Sequence, residues 1–262
     1  MTPFFSIIIP THSRPDGLVR AVASLRANTF QDFEIIVCMD VMDARTLHIL
    51  DKILTDSDTF VKRSGSAGPA QSRNLGLSLA KGHSVVFLDD DDAFLPDFLE
   101  NAYAATCNHP NTVAYTNYSI IQEDRNLSKI LSEPQHISVA KNQKTEVYVK
   151  NFIHNHTAIY PLHALRGHTQ SPELRSLEDW DFLLGVFTTT EFRYVDINGP
   201  IIYKDYVNPG SRRGNSADAS NTHVISDYLH IYKRWPAPTQ ALKIARQNLL
   251  TSAGLTLPLD WF

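Results

Sequence analysis

Long apolar runs are missing from this chain of 262 residues, and no stretch approaches the roughly 18 consecutive apolar residues that a membrane-spanning helix needs. An excess of one charge is missing too. The 24 basic and 28 acidic residues nearly balance, which excludes the electropositive footprint of a nucleic-acid binder. Cysteine is scarce: Cys38 and Cys107 lie in or beside apolar segments without metal-ligand spacing, and read as small core residues rather than a disulfide framework. No basic leader with a small-residue cleavage site precedes the short apolar run Phe4 to Pro10. Internal repeats and low-complexity tracts are also absent. What remains is the expectation of a cytosolic protein, with peripheral attachment to a membrane left open.

What is present begins with 43% hydrophobic side chains, enough to bury a large core. The first hundred residues alternate strand and helix patterns. Phe4 to Ile9 and Glu34 to Met39 read as buried parallel strands, Thr59 to Lys62 as a short third and Val85 to Leu88 as a fourth. Between them, helices are expected from Pro15 toward Asn28, over Ala44 to Leu54 and over Ala70 to Ala80. Repeated β-α-β units predict an α/β fold with a mostly parallel sheet, which binds ligands at the carboxyl ends of its strands. Asp40 and the run Asp89-Asp90-Asp91-Asp92 fall there.

The pattern then mixes. A helix is expected near Phe98 to Thr106, a strand at Val113 to Ile121, and a loop or short hairpin over the polar stretch Gln122 to Lys144. Glu178 to Phe187 reads as a helix, Phe192 to Ile197 and Ile201 to Tyr206 as strands, and Pro209 to Asn221 as a loop. Val224 to Trp235 and Thr239 to Ala253 read as two amphipathic helices. They are more apolar than a free surface needs. Packing on the protein's own core, a homo-oligomer contact and a membrane-surface contact, with Lys233, Arg234, Lys243 and Arg246 facing anionic lipid and Trp235 as anchor, are the three roles open to them.

Four consecutive aspartates after a hydrophobic strand repel one another unless a positive group compensates them. A divalent cation does so, and hard ions such as Mg²⁺ or Mn²⁺ take carboxylates together with substrate phosphates. A solvated, helix-capping loop is the alternative. A calcium loop fits poorly, because Phe94 occupies the position that needs glycine.

Four separated segments resemble family 2 glycosyltransferases of the GT-A fold. They are Ser6 to Arg14, Ile35 to Asp40, Ser72-Arg73-Asn74-Leu75-Gly76-Leu77 before Phe87 to Asp92, and Glu178-Asp179-Trp180-Asp181. The resemblance implies an inverting transferase that moves a sugar from a nucleotide diphosphate donor, a UDP-sugar, to a glycan or lipid-linked glycan acceptor in bacterial surface polysaccharide synthesis. It implies Thr11, Arg14 and Asp40 at the nucleotide, Arg73 and Asn74 at the diphosphate, and Asp89 and Asp90 beside the ribose or bridging water. Asp91 becomes the main ligand of Mn²⁺ or Mg²⁺, and Asp179 the catalytic base. It divides the chain into a catalytic region, 1–215, with a nucleotide half to about 105 and an acceptor half beyond, and a helical extension, 216–262.

One departure concerns a metal-binding histidine found after the last strands in some members, because Asn208 stands at the comparable place here. His154 and His156 are the substitutes, and Arg212 and Arg213 are candidates for closing over the diphosphate. Two other readings compete: a non-catalytic nucleotide-sugar or glycan-binding module, and a sugar nucleotidyltransferase. The second lacks support, since Thr11 to Pro15 occupies the place of that family's glycine-rich loop.

Overall fold

The computed structural model describes residues 2–207 and 222–262, so Asn208, Arg212, Arg213 and the expected loop around them lie outside the described residues. The chain opens with β1 (Phe5–Thr11), α1 (Pro15–Arg26), β2 (Phe33–Met39), α2 (Ala44–Ile53), β3 (Thr59–Lys62), α3 (Pro69–Leu79) and β4 (Ser84–Phe87). β1 pairs in parallel with β2 and with β4, and β3 extends the sheet beyond β2. Strands β1 and β2 are buried along their whole length, as their β-branched runs require when both faces are covered. Alternation along β1 sends Ile7 and Ile9 into the layer with Leu18, Val22 and Leu25 of α1, and Ile8 into the opposite layer. A methyl group at Gly76 would lie 2.4 Å from Ile8 Cγ2, so α3 can sit this close to β1 only with glycine there.

The second half continues with β5 (Ala93–Phe94), α4 (Phe98–Thr106), β6 (Thr112–Asp124), β7 (Lys129–Ile130), β8 (Gln135–Ile137), β9 (Ala158–Pro161), α5 (Glu178–Phe187), β10 (Glu191–Asp205), α6 (Thr222–Arg234) and α7 (Gln240–Ser252). The sheet runs β3-β2-β1-β4-β9-β6-β10-β5. β9 is antiparallel to both β4 and β6 and joins the two halves. The polar stretch after β6 forms β7 and β8, which both pair back onto β6. The two strands expected between 192 and 206 are one, β10, whose register against β6 shifts on either side of Asn198.

The tail helices bury Ile231, Tyr232 and Leu250 in the same core as Trp180 of α5. Arg246 is fully buried with no carboxylate partner among the described residues: its guanidinium donates to the carbonyls of Tyr148, Tyr232 and Trp235. Arg234 and the Trp235 indole both bond the buried carboxylate of Asp181, at 2.7 and 2.8 Å. Two of the side chains expected to face a lipid surface therefore clamp α5 from behind.

Candidate active site

Thr11 closes β1, Asp40 follows β2 and the aspartates follow β4, so the parallel register of these strands brings all of them to one edge of the sheet. They line a cleft of about 640 Å³ whose opposite wall is built from His154 to His156, Glu178, Asp179 and the β10 residues Ile202 and Lys204. A methyl group at Gly17 would stand 2.5 Å from the Asp90 carbonyl oxygen, so glycine lets the first turn of α1 reach the aspartate run.

Each aspartate has its own partners. Asp90 accepts from the Thr11 hydroxyl at 2.8 Å, the His12 N–H at 3.1 Å and Arg14 at 3.3 Å. Burial and the adjacent Asp91 charge still push its carboxyl up to about 6. Asp91 accepts from Arg14 at 2.9 Å and from Arg125 at 2.8 Å. Arg125 in turn bonds Glu123, which also holds Arg20 at 2.6 Å. Asp89 meets Arg73 at 2.6 Å; burial opposes its ionisation, but Arg73, His156 and Arg14 outweigh it and hold the carboxyl at about 2. Asp92 accepts from the Tyr203 N–H at 2.9 Å and faces His156 at 3.8 Å.

Ligand atoms of Asp89, Asp92 and His156 all lie within 4.8 Å of one another. Asp91, expected as the main metal ligand, stands outside that group, between two guanidinium groups. His156 of the two substitute histidines belongs to it, whereas His154 meets the Tyr118 hydroxyl at 3.2 Å.

At the nucleotide end, Asp40 joins His12 at 2.7 Å and accepts from the Gly68 N–H at 2.7 Å, tying the β2 end to the loop that starts α3. Arg73 is buried between Asp89, Glu178 at 3.0 Å and Gln170 at 3.1 Å, and bridges the two walls. Asn74, expected at the diphosphate, exchanges two hydrogen bonds of 2.8 Å with the Gln170 backbone instead and is not part of the cleft lining.

Asp179 sits in the first turn of α5, entered through Leu177 at φ 62, a left-handed conformation that is uncommon for leucine and turns the chain sharply into the helix. Its carboxylate accepts from the Trp180 N–H at 2.8 Å and lies 3.5 Å from the Asn151 amide. Burial and the neighbouring Glu178 push it up to about 7 despite Arg73. A carboxyl group that changes charge near neutrality and lines the same cleft as an acidic cluster suits proton transfer. The sequence reading included Asp92 in the aspartate run without giving it a role of its own, and missed Arg20, Glu123 and Arg125. A basic residue two positions after an acidic one at the end of a long strand was the available signal for the Glu123–Arg125 pair.

Three comparisons with known proteins bear on this cleft. Residues 6–168, more than half of the chain, match the model of Glycosyl transferase family 2. A Haemophilus influenzae protein described as an uncharacterized glycosyltransferase is 30% identical over 229 residues, 86% of this chain and 75% of its own length. An Escherichia coli UDP-Glc:alpha-D-GlcNAc-diphosphoundecaprenol beta-1,3-glucosyltransferase is 30% identical over 133 residues, 51% of this chain, and the match spans about half, 53%, of that relative. Among solved structures, Staphylococcus aureus TarS in complex with UDP-GlcNAc shares the fold, with a TM-score of 0.68 at 20% identity over 94% of this chain and 71% of that one.

Proposed function

The chain belongs to glycosyl transferase family 2, and from that premise we propose that it moves a sugar from a UDP-sugar to a lipid-linked glycan hydroxyl with inversion at the anomeric carbon. The observation that carries this reading is Asp179, pushed up to about 7 in the same cleft as the group of Asp89, Asp92 and His156.

The donor lies along the carboxyl ends of β1, β2 and β4, with its base and ribose against Thr11 and Asp40. Asp40, which joins His12 and accepts from the Gly68 N–H, supplies a carboxylate of the kind that accepts from a pyrimidine N–H. The acceptor hydroxyl enters beside Asp179. Its oxygen forms the new bond to the anomeric carbon as the bond to the diphosphate breaks, the electron pair leaves on the diphosphate oxygen, and the proton passes to the Asp179 carboxylate. Attack from the face opposite the leaving group inverts configuration.

Two carboxylates and one imidazole form a mixed oxygen–nitrogen donor set that fits Mn²⁺ better than Mg²⁺, which prefers oxygen alone. When bound there, the ion would neutralise charge developing on the departing diphosphate. This assignment takes the metal role from Asp91 and gives it to Asp89, Asp92 and His156; Asp91 then serves to fix Arg14 and Arg125 at the phosphate end. Residues 1–215 carry the reaction, and the tail holds α5 in place through Asp181.

None of the described helices is long and apolar enough to cross a membrane. The acceptor class follows the diphosphoundecaprenol substrate of the Escherichia coli relative, which supports a reaction at a membrane surface, proposed here as the cytoplasmic face, in surface polysaccharide synthesis. Calorimetry with UDP, UDP-glucose and UDP-GlcNAc, with and without Mn²⁺, followed by UDP release on adding a diphosphoundecaprenol-linked GlcNAc, tests the reading. Metal-strengthened binding and release support it. Binding without release would leave a nucleotide-sugar binding module, and no binding would end the donor assignment.

A further inference from the structure

The sharp entry into α5 is held by a helix from the far end of the chain. Leu177 takes its left-handed conformation directly before Glu178 and Asp179, and such backbone persists only where neighbouring groups fix it. Asp227, buried on α6, bonds the residue just before that turn: one of its carboxylate oxygens accepts from the Ser176 N–H at 2.8 Å and from the Ser176 hydroxyl at 2.9 Å. A carboxylate accepts from a backbone N–H more strongly than a neutral oxygen does.

The same helix grips the chain on the other side of Asp179. Arg234, seven residues and about two turns beyond Asp227 on one face of α6, meets Asp181 at 2.7 Å. Between the two ties, the Trp180 ring packs edge-on against Tyr228 and Tyr232 of α6, with ring centroids 5.0 and 6.0 Å apart. Ser176 and Asp181 are thus both tied to α6, and Asp179 lies between them in the cleft lining. A base takes a proton only within hydrogen-bond reach of the acceptor hydroxyl, and a misplacement of about 1 Å costs roughly 10²-fold in rate. Thr11 and Asp40, which the donor meets, stand at the ends of β1 and β2, in other elements.

We propose that Asp227 is a positioning residue for the reaction: by bonding Ser176 it keeps the turn at Leu177 in place and the Asp179 carboxylate within reach of the acceptor hydroxyl. The inference rests on Asp179 being the base, as in the reaction written above.

Turnover measured as UDP release from UDP-glucose, for Asp227→Ala, Asp179→Asn and the two combined, tests it. Asp227→Ala should lower kcat about tenfold, with KM for UDP-glucose and UDP affinity by calorimetry held within about twofold. Added to Asp179→Asn, the same change should cost less than about twofold, because its effect passes through a carboxylate already gone. Asp227→Asn, which keeps an oxygen to accept from Ser176, should hold kcat within about threefold of wild type. An equal loss in both backgrounds, or a fall in UDP affinity as large as the fall in kcat, would make Asp227 a scaffold residue and overturn the proposal, as would an unchanged kcat. If Asp227→Ala does not fold, Ser176→Ala removes only the hydroxyl bond and carries the same comparison, with a loss of about threefold expected in the wild-type background alone. Asp179→Asn that keeps the wild-type kcat would instead overturn the base reading on which the inference rests.

Discussion

The two walls of the cleft treat their charges in opposite ways. On the nucleotide wall every aspartate of the run but one meets an arginine: Asp89 meets Arg73, Asp90 meets Arg14, and Asp91 lies between Arg14 and Arg125, while Asp92 takes a backbone N–H and faces His156. On the other wall Asp179 has the Trp180 N–H, a 3.5 Å contact from Asn151 and a like-charged neighbour in Glu178. The first wall is braced by arginines, although burial and Asp91 still push Asp90 up to about 6, and such bracing suits a surface that orients a polyanionic donor. The second holds a carboxyl group near the point where it changes charge, as a proton acceptor requires. In the proposed reaction, donor binding falls to the first wall and proton transfer to the second, with Arg73 joining the two through Asp89 and Glu178.

Changing one wall without the other should break the two functions apart. The largest effect is expected for Asp179→Asn, which removes the base while keeping its size: turnover measured by UDP release should fall about 10²- to 10⁴-fold with UDP affinity by calorimetry unchanged. Arg125→Ala works on the braced wall, leaving Asp91 and Glu123 with fewer cations in a partly buried setting. Urea denaturation should show a loss of about 1–3 kcal/mol, less than for a fully buried pair because Arg125 keeps some solvent contact. His156→Ala should raise the Mn²⁺ concentration for half-maximal UDP-sugar binding about tenfold, and Asp91→Asn should raise it less, which distinguishes the group of Asp89, Asp92 and His156 from the expected Asp91 ligand.

The last effect is on the pH dependence of stability. The folded Asp179 carboxyl lies at about 7 against an ordinary 3.8, so the folded state binds the extra proton between those values and the charged form is disfavoured by folding. Stability should therefore decline as pH rises through that window. Asp179→Asn, which never ionises, should melt higher than wild type at pH 8, with the difference closing toward pH 4, by calorimetric scanning.

The same division separates what the sequence discloses from what it hides. The nucleotide half is built from consecutive β-α-β units, so Phe4 to Ile9, Glu34 to Met39 and Val85 to Leu88 announce their strands by composition, and the polar residues after them fall at one sheet edge by parallel register. The other wall comes from elements far apart in sequence. β9 is four residues long and reads as any short apolar run, yet it joins the halves and places His156 beside Asp92. Arg125 is carried to Asp91 by the turn after β6, in a stretch without periodicity. The use of Asn74 on Gln170 depends on the path of the loop before α5, which no local pattern encodes. Asp179 was legible as part of Glu178-Asp179-Trp180; its raised proton affinity was not, since burial is a property of the assembled wall.

The dependence of kcat/KM on pH, read as UDP release from UDP-glucose by wild type and Asp179→Asn between pH 5 and 9, tests the central claim most directly. The account predicts that wild-type kcat/KM rises about tenfold per pH unit up to about 7 and then levels, because only ionised Asp179 accepts the proton, and that the variant loses this rise along with most of its rate. A wild-type profile with no inflection between pH 6 and 8, or a variant that keeps the same rise, would contradict Asp179 as the base.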